Sequence, residues 1–174
     1  MEYSIKAPLI NEDINCLRAG DCILLSGVVY TARDAAHQRI VKAIKTQQSL
    51  PFDVTGQVIY YTGPCPGTKG RVLGSCGPTT SGRLDGYTPL LLEKGLKGMI
   101  GKGQRSPEVV QAIRDYGAVY FVTVGGAGAL LSTKIKKAEV VAYPELGPEA
   151  VMRLEIVEFP CLVAIDSMGN SLYR

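Results

Sequence analysis

The sequence has no tryptophan and only three phenylalanines in 174 residues, so Val, Ile, Leu and Tyr must build its core. No stretch approaches the ~18 consecutive apolar residues that a membrane-spanning helix needs. The opening run MEYSIKAPLI lacks a basic segment followed by an apolar one, so no signal peptide is expected and a cytoplasmic location is. A basic stripe is missing too. The net charge is only +3, and the scattered Lys and Arg argue against nucleic-acid binding. The one tight basic group, Lys134, Lys136 and Lys137, reads as a solvated strand end. The five cysteines are odd in number and form no C-x-x-C pair. A disulfide framework is therefore not expected in a chain of this size and compartment. Cys65 and Cys76, on glycine-rich turns, are the best candidates for metal ligation, but small reduced thiols, mostly buried, are the favoured reading.

What the sequence does contain fits one globular domain spanning residues 1–174. Apolar residues make up 46%, and 20 Gly with 10 Pro imply many turns. Asn11 is placed to cap a short helix with Ile14 and Leu17 on its inner face. CILLSGVVYTA (22–32) is a β-branched apolar run and reads as one long strand or two short ones. Ala36, Ile40, Ala43 and Ile44 then recur at helical spacing, which predicts an amphipathic helix over 34–47. Strands are predicted at 57–63 and 71–77, and a helix around Tyr87 to Lys94 that Gly95 ends. Ser106-Pro107-Glu108 is a helix start, and Gly117 its end. Further strands are predicted within 95–103, 118–126, 138–145 and 152–160, a small helix at 127–133, and a hairpin at 161–174. Alternating strands and helices in the middle, with strands at both ends, indicate an α/β fold with a mixed sheet.

Three glycine-rich turns follow predicted strands and carry charge. In YTARDAAH (30–37), Arg33 sits where strand passes to helix; a guanidinium there pairs bidentately with a carboxylate, or else is a surface arginine paired with Asp34. His37, one turn further on, is read as a helix-surface residue, with a general acid as the alternative. In GPTTSGRLD (77–85), Thr79 or Thr80 is placed to cap the following helix, leaving N–H groups toward an anion. Arg83 is four residues after Thr79 and shares its side. In IGKGQRS (100–106), Gly101 and Gly103 let the backbone come close to a ligand and leave the Lys102 ammonium exposed. A fourth turn, GGAGALL (125–131), lacks the third glycine of a dinucleotide loop and has no suitable acidic residue after it. Its glycines are read as allowing close helix–sheet packing. Arg33, Arg83 and Lys102 together supply three positive charges, with hydroxyls beside them, and a small dianion matches that inventory.

The stretches TARDAAHQR (31–39), GPTTSGRLDGY (77–87), IGKG (100–103) and FPCLVAIDSMGNSLY (159–173) resemble the β subunit, or C-terminal domain, of class I fumarate hydratases, whose family includes the iron–sulfur L-tartrate dehydratases. The resemblance runs over essentially the whole chain. It implies a swivelling β/β/α domain with flanking helices, and reversible hydration of fumarate to (S)-malate. It also implies a [4Fe–4S] cluster held by three cysteines of a separate α subunit, so no metal ligand is expected on this chain. Arg33, Arg83 and Lys102 would bind substrate carboxylates. Thr79 would be the base at carbon, or would only orient a carboxylate. Gly82 looks more like the fumarate pattern than the tartrate one. Assembly with the α subunit, as a homodimer or an α2β2 tetramer, is expected. A non-catalytic dicarboxylate-binding or assembly subunit is the rival reading.

Overall fold

Along the central strands, neighbouring residues enter two different buried layers. Val58 and Tyr60 lie in one apolar cluster, Ile59 and Tyr61 in another. Met99 and Ile100 divide in the same way, as do Tyr120 and Phe121. Successive side chains of a strand point to opposite faces, and here both faces are covered. That is why these strands read as unbroken apolar runs rather than as alternating ones.

The computed structural model describes residues 1–123 and 127–173. The elements are β1 (Glu2–Ala7), α1 (Asn11–Cys16), β2 (Cys22–Thr31), α2 (Asp34–Lys45), β3 (Val58–Tyr60), α3 (Thr88–Glu93), β4 (Gly98–Gly101), α4 (Pro107–Tyr116), β5 (Val119–Val122), α5 (Gly128–Ser132), β6 (Ile135–Ala142) and β7 (Val151–Ile165). Short 3-10 turns occupy Ser81–Leu84 and Pro144–Glu149. The strand order is β1-β2-β3-β4-β5-β7-β6, with β2 also paired to β7. Strands β1 to β5 pair in parallel, and β7 runs antiparallel to β2, β5 and β6. The β2–β7 pairing closes β2, β3, β4, β5 and β7 into a ring, with β1 and β6 attached outside it. Leu25, Val29, Tyr60, Phe121 and Phe159 belong to the cluster facing inward. Ile40, Leu91, Val109 and Ile113 bring α2, α3 and α4 onto the outward face. Full burial of each such side chain stabilises by about 1.5–3 kcal/mol. This is the mixed sheet with flanking helices that the alternating pattern indicates.

Several local expectations need correction. Residues 71–77 form no strand; Leu73 makes only an isolated bridge to Pro66. Five glycines and two prolines in residues 63–77 leave too little side chain to pack a ladder. Asn11 is the first helical residue of α1, and Ile10 before it offers no side-chain cap. Strand β1, unassigned from sequence, lies parallel to β2 with Glu2 opposite Cys22. The C-terminal hairpin does form, with a short second arm: β7 runs to Ile165, Asp166 accepts the Met168 and Asn170 amides in the turn, and Ile165 bridges antiparallel to Ser171. Strand β7 does not break at Pro160. It kinks earlier, at Glu158 (φ 51), whose amide donates to Ser26 Oγ at 2.9 Å. The Ser106 cap on α4 forms as expected, accepting the Val109 amide at 3.3 Å. Of the GGAGALL turn, Gly125 and Gly126 lie outside the described residues. Gly128 packs against the 75–77 segment rather than the sheet, since a Cβ there would meet the Gly77 nitrogen at 2.7 Å.

The kink has a counterpart in β2. Gly27 has φ +104, and a Cβ on it would land on the Ala7 carbonyl oxygen of β1. A side chain there meets both backbone strain and fixed main chain. Gly27→Ala is expected to lower stability by about 2–3 kcal/mol, read as a shifted urea midpoint. An unchanged midpoint would show that β1 yields freely.

Candidate functional site

Register alone places two of the three cationic loops on one edge, with the loop after β3 between them. Thr31 of β2 pairs with Tyr60 of β3, and Tyr60 with Ile100 of β4. Two residues past these, Arg33, Thr62 and Lys102 leave the C-terminal ends of three adjacent parallel strands. With strands ~4.8 Å apart, the backbones at Arg33 and Lys102 are about 10 Å apart. The C-terminal edge of parallel strands is where α/β sheets place their sites.

The 77–85 turn is fastened over this edge. The Thr79 amide donates to the Tyr61 carbonyl at 2.7 Å, and Thr62 Oγ1 donates to the Gly77 carbonyl at 2.8 Å. Thr80 forms a parallel bridge with Lys102, and the Ser81 amide donates to the Lys102 carbonyl at 2.9 Å. A Cβ on Gly101 would land on Ser81 Oγ, so this close approach needs glycine. Thr79 is half-buried and Lys102 is exposed.

Arg33 immediately precedes α2, and its Nε is buried without a hydrogen-bond partner. Its side chain lies against Gly63, where a Cβ would come within 3.0 Å of a guanidinium nitrogen. Asp34 Oδ2 is 3.2 Å from Arg83 and 3.9 Å from Arg33. The contact is ionic rather than hydrogen-bonded, since this buried oxygen has no partner of hydrogen-bond geometry. Two guanidinium groups from separate loops thus converge on one carboxylate oxygen. The structure therefore joins Arg33 to Arg83 through Asp34, and the Thr79–Ser81 turn to Lys102 through backbone bonds. The plain reading of Arg33 as paired with Asp34 is half of this arrangement; Arg83 is the other half.

Beneath the loops lies a buried polar layer that the sequence motifs did not single out. The Arg105 side chain is fully buried and its Nε donates to Asp85 Oδ1 at 2.6 Å. It also donates to Thr88 Oγ1 at 2.8 Å and Tyr61 Oη at 3.3 Å, and stacks against the Tyr61 and Tyr120 rings. The other Asp85 oxygen accepts the Ser106 amide at 2.8 Å. The available signals were the aspartate that closes GPTTSGRLD and the arginine two residues after Gly103.

Two site expectations are overturned. Neither Thr79 nor Thr80 caps a helix by its side chain. The turn runs into the short 3-10 segment, Thr80 makes no cap bond, and α3 starts only at Thr88. Anion binding by an exposed helix N-terminus therefore drops out. His37 is not on the helix surface but fully buried, with its ring near Tyr61 and Tyr87 and its Nδ1 2.8 Å from the Arg33 carbonyl. That carbonyl can only accept, so Nδ1 carries the proton and Nε2 is left without a partner. Burial pushes its pKa from 6.5 down to about 4; the Arg105 charge adds to this and the Arg33 carbonyl opposes it.

Cys65 and Cys76, the candidate pair, lie near each other but differ in exposure. Among the described residues no three His, Cys, Asp or Glu side chains gather as a possible metal site. Burial pushes the Cys76 thiol up to about 11, and that of Cys161 well above its ordinary range, against the thiolate a ligand must provide. Cys65 is exposed while Cys76 is buried.

Arg33 and Lys102 thus stand at the ends of parallel strands of a mixed α/β sheet, with Arg83 brought to Arg33 by Asp34. The chain belongs to the fumarase C-terminus family, whose profile matches residues 2–174. It is 39% identical to the "Putative L(+)-tartrate dehydratase subunit beta" of Methanocaldococcus jannaschii, over all of this chain and 92% of that protein. It is 39% identical to "Fumarate hydratase class I, anaerobic" of Escherichia coli K12, over 86% of this chain and 28% of that one. It is 34% identical to "Fumarate hydratase 2" of Leishmania major, over 99% of this chain and 31% of that one. The chain thus spans about a third of the fumarate hydratases it matches and nearly all of the subunit.

The buried His37 makes stability depend on pH. The unfolded chain binds the proton at 6.5 and the folded one only near 4. The contribution, up to about 3 kcal/mol, is therefore complete above pH 6.5 and is lost as pH falls toward 4. Urea midpoints of the wild type are expected to drop across that window, and those of His37→Gln to drop less. Parallel curves would remove His37 as the cause.

Proposed function

We propose that the chain is the β-type catalytic part of a hydro-lyase that reversibly hydrates fumarate to (S)-malate, and that it works with a separate α-type subunit. The observation that carries this reading is the convergence of Arg33 and Arg83 on one carboxylate oxygen beside the Lys102 loop. A dicarboxylate offers the same groups to the same cations, and a bidentate guanidinium pair fixes its plane as well as its charge. In this reading Asp34 occupies a place that a substrate carboxylate shares. Arg33, Arg83 and Lys102 bind the two carboxylates.

Hydration puts a proton on one alkene carbon and a hydroxyl on the other. Thr79 is assigned the proton at carbon. A threonine hydroxyl is a very weak acid, so its alkoxide needs the positive charge of Arg83 and Lys102 and the exclusion of water. The [4Fe–4S] cluster implied by the family resemblance is assigned to the α subunit, since among the described residues here no three candidate ligands gather. There it supplies Lewis acidity toward the substrate hydroxyl. The residues of this chain bind and orient the acid and move the proton. A second substrate, L-tartrate, is favoured by one observation: the relative matched over almost its full length is named for it. Gly82 does not decide between them on steric grounds. A Cβ there meets nothing closer than 3.7 Å, so the turn admits a larger residue.

The test is anaerobic co-expression with an α-type chain, assayed on fumarate, (S)-malate and both tartrates. Turnover is expected from the pair and none from this chain alone. Arg33→Met and Arg83→Met are each expected to raise KM about 10- to 100-fold, the loss of one charge-assisted pair. Thr79→Ser is expected to keep activity and Thr79→Ala to lose at least about a hundredfold in kcat. Near-normal turnover by Thr79→Ala would leave Thr79 only an orienting role.

A further inference from the structure

Lys102 stands between two glycines that give its backbone no side-chain restraint, and its own side chain is exposed. Whatever holds the ammonium in place must act on the main chain. The Lys102 amide donates to Ser81 Oγ at 3.1 Å. Tyr120 Oη is 2.8 Å from that same Ser81 Oγ and 2.8 Å from the Gly103 carbonyl. The proton count allows only one arrangement. An amide can only donate, a carbonyl can only accept, and each hydroxyl has one proton to give. The chain therefore runs Lys102 N–H to Ser81 Oγ, Ser81 O–H to Tyr120 Oη, and Tyr120 O–H to Gly103 C=O.

Both ends of this chain lie on the lysine loop. It leaves the loop at residue 102 and returns at 103, so it closes like a buckle across the peptide between them. Ser81 and Tyr120 are both fully buried, and every donor proton in the chain is used. Burial raises the Tyr120 phenol well above its ordinary pKa, so it keeps the proton it must donate. The Tyr120 ring is itself fixed, with the Arg105 guanidinium 4.8 Å from its centroid. Ser81 is set from the other side by its amide bond to the Lys102 carbonyl. Satisfied buried networks of this kind impose one geometry, because any slip leaves a polar group unpaired.

We propose that Ser81 and Tyr120 are positioning residues that aim Lys102 at a substrate carboxylate through this closed hydroxyl chain. The inference rests on the reading of Lys102 as a substrate ligand. Neither residue touches substrate, and both act through the lysine backbone. Tyr120→Phe removes one oxygen and keeps the ring against Arg105, so it loosens the loop without emptying the core.

The test uses the assembled enzyme with its α-type subunit, measured on (S)-malate and on L-tartrate. Tyr120→Phe is expected to raise KM about tenfold, the scale of one buried hydrogen bond, with kcat within about twofold. Ser81→Ala, which breaks the chain at its other hydroxyl, is expected to do the same and covers the case in which Tyr120→Phe does not fold. The decisive measurement is the double-mutant cycle with Lys102→Ala. Lys102→Ala alone should raise KM, and adding Tyr120→Phe or Ser81→Ala should raise it no further, because the ammonium being aimed is gone. If the effects multiply, or if kcat falls while KM holds, the two residues support the fold generally and the proposal is overturned. If Lys102→Ala itself leaves KM unchanged, the assignment of Lys102 fails, and this inference fails with it.

Discussion

The buried pairing of Arg105 with Asp85 is the contact on which the site's shape depends. Asp85 closes the turn that presents Thr79 and Arg83, and Arg105 follows the loop that presents Lys102. One hydrogen bond of 2.6 Å, with no exposure of the arginine side chain, therefore joins two segments twenty residues apart. Burying two charges is costly, and their attraction offsets this only when the remaining donors and acceptors also find partners. Here they do, in Thr88, Tyr61 and the Ser106 amide. Two aromatic faces add a weaker attraction. Loss of either partner would leave an uncompensated charge beneath the loops, which makes the pair strict about geometry whatever its net contribution to stability.

The scaffold supplies the other half of the precision. Closing β2, β3, β4, β5 and β7 into a ring fixes the relative heights of the strand ends, and the site is a matter of heights: Arg33, Thr62 and Lys102 leave the sheet level with one another. A one-residue slip in β3 would exchange Tyr60, which faces the interior, with Tyr61, which touches Arg105 and His37. The apolar load on both faces makes such a slip expensive. The cationic loops thus inherit their alignment from a core that has no part in the chemistry.

The sequence made the main features legible where a single residue type has a single use. Glycines around Lys102, a guanidinium at a strand-to-helix junction and hydroxyls on a Gly-Pro turn all pointed to one edge of the sheet, where the structure places those loops. Helix α2 was visible from Ala36, Ile40 and Ala43, and α4 from its serine and proline. What stayed hidden depended on contacts across long sequence separations. Asp34 appeared to be an ordinary first-turn acid because nothing local shows that Arg83 folds onto it. His37 followed a helical pattern in which the next buried position, Ile40, is apolar, so its own burial under Tyr61 and Tyr87 could not be inferred. Strand β1 was overlooked because only Tyr3, Ile5 and Ala7 mark its inner side, and residues 71–77 were mistaken for a strand because three apolar residues outweighed two glycines.

The Asp34 carboxylate between Arg33 and Arg83 has a thermodynamic implication. The two guanidinium groups are not bare cations but partly neutralised, with a tethered anion between them. On the proposed function, an arriving acid would exchange with that anion instead of condensing onto open charge, and the tether would keep the displaced group within reach to reclaim the arginines afterwards. Entry and departure would then resemble a ligand swap between near-equals, favouring ready release over tight capture and softening the dependence on ionic strength.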